Sequence, residues 1–354
     1  MKPPKPKGID FNKEEIKNAL VNNHPLMLML DFSQKCNLSC KYCFNANNKA
    51  RETKDELNYQ NYIDIINQAA NFEIKTIFIP GSGEPTIDNN FWKVLPLIHK
   101  LNITPIMFTN GYTLTKKQIE RLYENNTTIG LKLNSFNSET QNWLVDRIGY
   151  AKRRDMTLSL LIKQGFNKTD PTRLWLDTLV CKQNFNEIKD IFIYARKNNL
   201  WPGINTLFHM GSGNKKEVKE ELDVPIDNIK KLWHELSKFD KKEYGYEWAP
   251  RPPYIAWDCN FYYFSMYINN KGNVSKCLGS PIIGLILDDN QKVKKDILKT
   301  YWNSKKMKKL TCIDYNIDKM DNNSYGCPCR RALKYGEDST FILNPKDNIW
   351  KSNI

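Results

Sequence analysis

The sequence predicts an α/β protein built on a parallel sheet, either doubly wound or curled into a barrel. Three observations predict it. Short apolar runs alternate with helical patterns six times between Met27 and Phe208, and the runs end in polar or glycine-containing turns. The helical stretches carry one apolar face, clearest at Ile188, Ile191, Phe192 and Ala195 with i, i+3, i+4, i+7 spacing. Such alternation implies right-handed crossovers between parallel strands.

Taken in order, Met27 to Leu30 is the first strand and leads into a cysteine-rich loop. A helix over Tyr59 to Ala70 precedes a strand at Thr76 to Ile79, which ends at Gly81-Ser-Gly-Glu-Pro85. A helix around Phe91 to Lys100 precedes a strand at Thr104 to Phe108, which ends at Thr109-Asn-Gly111. The unit repeats as a helix over Lys116 to Glu124, a strand at Ile129 to Leu133, a helix over Glu139 to Arg153 and a strand at Thr157 to Ile162. The helix containing Ile188 then precedes a sixth strand at Gly203 to Phe208. Cys36, Glu84, Asn110, Asn134, Ser135, Lys163 and His209 all fall just past a predicted strand end, the face on which α/β barrels assemble their sites.

Composition narrows the class. The chain has 354 residues, 40% of them apolar, and no run approaches the ~20 apolar residues of a membrane span. The start, Met-Lys-Pro-Pro-Lys-Pro-Lys-Gly, lacks the apolar segment of a secretory signal, so a cytoplasmic protein without a membrane partner is expected. Nine cysteines in that compartment point to metal ligands or catalytic groups rather than disulfides. The formal charge of +14 is spread over scattered lysines, which form a solvated surface and favour encounters with acidic partners. Nucleic acid is not favoured, because no Arg-rich helix, zinc finger or RNA-binding signature accompanies the charge.

Cys36, Cys40 and Cys43 form a C-x3-C-x2-C loop. Three thiolates can hold three irons of a four-iron cluster and leave the fourth open for chemistry, whereas a closed structural zinc site needs a fourth, distant ligand. Both readings stay open on spacing alone.

With Tyr42 directly before the last cysteine, the loop resembles the C-x3-C-x-aromatic-C signature of radical S-adenosylmethionine (SAM) enzymes. The resemblance covers roughly residues 27 to 210. It implies a partial (β/α)6 TIM-like barrel, a 4Fe-4S cluster on Cys36, Cys40 and Cys43, and an open iron that chelates the amino and carboxylate groups of SAM. Gly81, Ser82, Gly83, Glu84 and Pro85 are similar to the G-G-E-P motif after strand two, which receives the SAM amino group, with Ser82 in place of its second glycine. Asn110 lies in a T-N-G like that ending strand three in this family. By the same resemblance Ser135, after strand four, and Lys163, after strand five, contact the SAM ribose or carboxylate.

Past about residue 245 tryptophan, tyrosine and proline become frequent, and Cys259, Cys277, Cys312, Cys327 and Cys329 follow. Phe261 to Ile268, Asn269-Asn-Lys-Gly272 and the stretch into Cys277 read as a β-hairpin with Cys259 and Cys277 near one end. The layout resembles the SPASM or shorter twitch domains of radical SAM enzymes. It implies a small cysteine-rich C-terminal domain, β-hairpin plus helix, with one auxiliary 4Fe-4S cluster on Cys259, Cys277, Cys312 and either Cys327 or Cys329. A four-cysteine zinc site is the alternative. The expected organisation is an N-terminal extension over 1–26, a barrel over 27–240 and the auxiliary-cluster domain over 241–354.

The resemblance implies reductive cleavage of SAM and hydrogen abstraction from a substrate carbon, fed by a reductant such as flavodoxin or ferredoxin. The outcome expected is net oxidation, dehydrogenation or epimerisation of a small molecule such as a sugar, aminocyclitol or nucleotide derivative. Cys181, placed in the helix after Trp175, is a candidate hydrogen donor or else a small buried apolar residue. The segment before Met27 is too short for a leader-binding domain, so a peptide substrate would need a separate leader-binding partner. RNA modification remains an alternative, as does a non-catalytic iron–sulfur or zinc protein that binds nucleic acid.

Overall fold

A computed structural model describes residues 5–45, 55–208, 211–246, 248, 264–278, 280 and 282–310. Nine strands form one sheet in the order β6-β5-β4-β3-β2-β1-β7-β8-β9. The first six, β1 (Met27–Leu30), β2 (Thr76–Ile79), β3 (Thr104–Thr109), β4 (Thr128–Lys132), β5 (Leu174–Leu179) and β6 (Trp201–Asn205), are parallel to their neighbours. β7 (Ser265–Ile268) returns beside β1, also parallel, and β8 (Asn273–Ser275) and β9 (Gly284–Leu285) follow antiparallel.

Side chains alternate between two buried faces, which is why the strands read as nearly continuous apolar runs. One face, including Leu28, Ile77, Met107, Ile129 and Leu176, packs on helices α2 (Tyr59–Asn71), α3 (Asn89–Lys100), α4 (Lys116–Glu124), α6 (Tyr150–Gln164) and α7 (Ile188–Lys197). The other face brings Met27 and Met29 of β1 into one cluster with Phe78, Ile106, Trp175 and Trp201. Strands at the two ends of the six-strand run therefore share an interior, so the sheet is curled into a partial TIM-like barrel. Gly130 and Gly203 make room inside it: a Cβ on Gly130 would lie 2.4 Å from the Phe108 ring, and one on Gly203 would lie 3.3 Å from the Trp175 indole nitrogen.

The helix starts follow local chemistry. Asn58 caps α2 and Thr115 caps α4, each with a reciprocal capping box to Asn61 or Gln118. The chain ahead of helix α1 (Lys13–Val21) closes the amino-terminal end of the barrel. There Thr76 donates to the Gly8 carbonyl (2.7 Å), Thr128 to the Lys7 carbonyl (3.0 Å), and Ile9 and Phe11 join the interior cluster. The carboxyl ends of the strands are left as the face for a site.

Three expectations are corrected. The predicted strand Thr157 to Ile162 is the second half of α6, and the helix predicted over Glu139 to Arg153 is split into α5 (Ser138–Val145) and α6, separated by Asp146 and Gly149 in left-handed conformation. The true fifth strand is Leu174–Leu179. A short apolar run fits a buried strand and a buried helix equally, and here Leu158 and Leu161 face the core at helical spacing. The sixth strand begins two residues earlier than predicted, at Trp201, and ends at Asn205.

Helix α8 (Ile226–Tyr244) covers the β6 side through Ile229, Leu232, Trp233 and Leu236. It is tied to α7 by a bidentate pair, Arg196 Nε to Asp240 Oδ1 at 2.8 Å and Nη2 to Oδ2 at 2.9 Å, with both side chains buried. Asp240→Ala leaves the buried guanidinium uncompensated and is expected to lower unfolding free energy by about 3–5 kcal/mol, whereas an apolar pair at both positions costs far less. Urea unfolding of the two variants measures the difference.

Candidate functional site

The cysteine loop leaves the carboxyl end of β1, and the Gly81 to Pro85 loop leaves the neighbouring end of β2. The two loops are pressed together. A Cβ on Gly83 would lie 2.3 Å from the Lys35 carbonyl oxygen and 2.5 Å from that of Ser33, and the Glu84 N–H donates to the Lys35 carbonyl at 2.8 Å. Only glycine permits this approach of backbone to backbone. Gly81, at φ +79°, supplies the left-handed turn that starts the loop.

Glu84 is buried, and its carboxylate takes four donors. Thr109 Oγ1 (2.6 Å), Thr86 Oγ1 (2.7 Å) and Thr86 N–H (3.1 Å) reach Oε1, and the Asn110 N–H (2.8 Å) reaches Oε2. Burial pushes its pKa up, against the pull of Thr109, Asn110 and Thr86. Glu84 thus joins the second strand end to Thr109-Asn-Gly111 on the third. Asn110 continues the chain of contacts by donating to Asn37 Oδ1 at 2.8 Å, inside the cysteine loop.

Asp31, the first residue past β1, is a site residue that the sequence reading did not single out. Its carboxylate accepts from the Ser82 N–H (3.3 Å), the Ser82 hydroxyl and the Tyr267 hydroxyl of β7. Burial raises its pKa, with Ser82 and Tyr267 opposing. Asn45, just past Cys43, donates to the Ser82 carbonyl at 2.7 Å.

Cys36, Cys40 and Cys43 are half-buried thiols. Burial pushes Cys40 up to about 12, with the neighbouring Cys36 and Cys43 adding to it, and burial followed by the Glu84 charge pushes Cys36 up to about 12. Thiols whose anions repel in a partly dry loop suit a bound cationic centre, which reverses that logic by holding them as thiolates. Among the described residues no three thiol, imidazole or carboxylate groups converge where one metal ion would sit. A tetrahedral zinc with bonds of about 2.3 Å draws its sulfurs to within about 3.8 Å of each other. In a four-iron cluster each cysteine serves a different iron, so the sulfurs stand farther apart. Asn37 Nδ2, next to Cys36, is buried without a partner and is a donor left for a ligand. Three clustered thiols beside that buried donor are a set of groups that fits a four-iron cluster with one iron left open.

Tyr42 is buried and accepts from Asn134 Nδ2 at 2.7 Å, which fixes the aromatic of the cysteine motif to the end of β4. Asn134 also accepts the Leu179 N–H at 2.9 Å at the end of β5. Ser135 has no exposed surface and gives its hydroxyl proton to Glu187 at 2.6 Å, while buried Arg154 donates to the Ser135 carbonyl at 3.1 Å. Inside the upper barrel, Lys132 of β4 pairs with Asp177 of β5, which also accepts from Asn205 of β6. Lys132 lies 5.6 Å from the Tyr42 ring centre. A charged residue within an otherwise apolar strand, in Ile-Gly-Leu-Lys and Leu-Trp-Leu-Asp, was the signal for this layer.

Two further placements are corrected. Lys163 is exposed in the last turn of α6, in an outer groove with Lys152, Asp155 and Ser159, and does not reach the barrel mouth. Cys181 is not in a helix: it follows β5, is fully buried beside Tyr42, Leu144 and Leu179, and is pushed up to about 11 by burial. Cys277 sits just beyond β8, with its sulfur 3.1 Å from Ser280 Oγ. His209, Cys259, Cys312, Cys327 and Cys329 lie outside the described residues.

A family profile described as Radical SAM superfamily matches residues 30–223. The chain is 26% identical over 218 residues to an S-adenosylmethionine-dependent nucleotide dehydratase of Flammeovirga pacifica, covering 58% of this chain and 71% of that protein. It is 27% identical over 172 residues to a GTP 3′,8-cyclase of Synechocystis, covering 48% of this chain and half of that one. Among solved structures it resembles Streptococcus suis SuiB bound to S-adenosylmethionine, with a TM-score of 0.64 and 18% identity over 90% of this chain and 75% of SuiB. Among the described residues no helix is long and apolar enough to cross a membrane.

Proposed function

As the chain belongs to the radical SAM superfamily, we propose that Cys36, Cys40 and Cys43 hold its 4Fe-4S cluster and that the Gly81 to Pro85 loop holds its SAM. When bound, the reduced cluster supplies the electron that cleaves SAM to methionine and a 5′-deoxyadenosyl radical, which takes hydrogen from a substrate carbon. The observation that carries this reading is the locking of the two loops, the bare Cα of Gly83 lying against the Ser33 to Lys35 backbone. That contact fixes the ligand-bearing loops relative to each other before anything binds, and such pre-set geometry lowers the entropic cost of the reaction. The Ser82 carbonyl, already holding Asn45, has a second lone pair for the SAM ammonium. Glu84, occupied by four donors, keeps that loop rigid.

The substrate proposed is a small molecule, a nucleotide derivative being favoured by the relatives that act on nucleotides. Lys132, Asp177 and Asn205 face the upper barrel and offer it an ammonium, a carboxylate and an amide. The outcome proposed is net oxidation, dehydrogenation or epimerisation. Cys277, with Cys259, Cys312 and one of Cys327 and Cys329, would hold an auxiliary 4Fe-4S cluster in a SPASM- or twitch-like C-terminal domain. The +14 charge suits an acidic reductant such as flavodoxin or ferredoxin.

Anaerobic reconstitution with iron and sulfide, followed by SAM and dithionite, is expected to yield 5′-deoxyadenosine. Its absence from the reconstituted wild type would remove the enzymatic reading. Incubation with cell extract in deuterated water, followed by mass spectrometry, is expected to place the mass shift in the nucleotide fraction. A shift confined to peptide or RNA would overturn the small-molecule assignment.

A further inference from the structure

We propose that the β7–β8 hairpin is a working part of the SAM site and that Tyr267 is its positioning residue, acting through Asp31 on Ser82. The role presupposes the functional reading above, in which the Gly81 to Pro85 loop receives the SAM ammonium.

Ser82 is pinned at three atoms. Its N–H and hydroxyl both donate to Asp31, and its carbonyl accepts from Asn45 of the cysteine loop. Asp31 is itself held by Tyr267, which lies opposite Met29 in the parallel β1–β7 register and points to the same interior face. Without the Tyr267 hydroxyl, Asp31 keeps, among the described residues, side-chain and backbone donors from Ser82, the residue it has to orient. The carboxylate can then turn, and the Ser82 peptide turns with it.

A second tie brings the hairpin to the other loop. Asn270, fully buried in the hairpin turn, donates to Glu56 at 2.7 Å, accepts from Gln34 Nε2 at 3.4 Å, and gives its carbonyl to the Leu57 N–H at 2.8 Å. The Gln34 backbone is part of the surface that abuts Gly83. The hairpin therefore braces both ligand-bearing loops from the far side of β1. The same hairpin runs directly into Cys277, two residues past the end of β8.

The test uses the reconstituted full chain. Tyr267→Phe is expected to raise the Kd for SAM, and the KM, about tenfold. It should leave kcat at saturating SAM within about twofold of wild type, and leave iron content unchanged. In SAM-free protein the same variant should exchange the Ser82 to Glu84 amides faster with deuterium. Ser82→Ala should weaken SAM similarly, and Tyr267→Phe combined with Ser82→Ala should weaken it no further than either change alone. Tyr301→Phe removes a hydroxyl bonded to the Leu285 carbonyl on β9 and should leave SAM affinity unchanged. Unchanged SAM affinity in Tyr267→Phe, additive losses, or a loss shared by Tyr301→Phe each overturn the positioning role. A wild type that binds no SAM sinks the functional reading and this role with it, whereas a wild type that binds SAM alongside an unaffected Tyr267→Phe sinks this role alone.

Discussion

Alanine at Cys36, Cys40 and Cys43 together is expected to lower 5′-deoxyadenosine formation by at least about a thousandfold, because no thiolate remains to hold the cluster. Iron content separates this loss from misfolding. With an auxiliary cluster on Cys259, Cys277, Cys312 and Cys327 or Cys329, the triple variant keeps about four irons and four sulfides per chain where the wild type holds about eight of each. Retention of zinc instead, or loss of all iron with the fold intact by circular dichroism, would argue for a C-terminal zinc site. Cys36 and Cys40 are partly buried at the edges of two core clusters, so the barrel is expected to stay folded without the three thiols.

The second large effect is expected from Gly83→Ala. The added methyl group meets two backbone carbonyls and the Gln34 backbone within 2.6 Å, none of which can move as a flexible side chain could. Either the cysteine loop or the Gly81 to Pro85 loop must give way, at a cost of about 1–3 kcal/mol in stability. A displacement of about 1 Å between the two ligand-bearing loops is expected to lower SAM cleavage about a hundredfold. Gly149→Ala is the comparison for backbone strain alone, since Gly149, unlike Gly83, has positive φ and has no atom within 4 Å of its Cβ position. It bears only the left-handed strain of about 1 kcal/mol and should cleave SAM normally. Equal losses of SAM cleavage in both variants would mean that general destabilisation, not contact between the two loops, lies behind the effect of Gly83→Ala.

Much of the barrel was legible because its signals are local. Four of the first five parallel-strand positions, together with the capped helices α2 and α4, follow from period, cap and turn residues within about a dozen positions. The fifth strand was not legible. Asp177 interrupts Leu174–Leu179 and argues against a strand in isolation, since Asp is depleted from strands. It is accommodated there because Lys132 and Asn205, on the two neighbouring strands, meet it inside the barrel. The misplaced strand carried Lys163 with it. Ser135 shows the same limit in another form: its position after β4 was read correctly, but its commitment to Glu187 depends on how α6 and the turn after β5 close over it.

By itself the sequence determined the cysteine spacing, the glycine-rich loop after the second strand and the alternation that makes a parallel sheet. These reside in residues close along the chain, where covalent connection fixes what can meet. The tertiary structure alone decided that Gly83 serves loop packing, that Glu84 is enclosed by four donors, and that Tyr267 reaches Asp31 across 236 positions. Such contacts arise only when the sheet curls and β7 returns beside β1, and hydrogen bonds between groups so far apart in sequence leave no period or spacing from which they could be read.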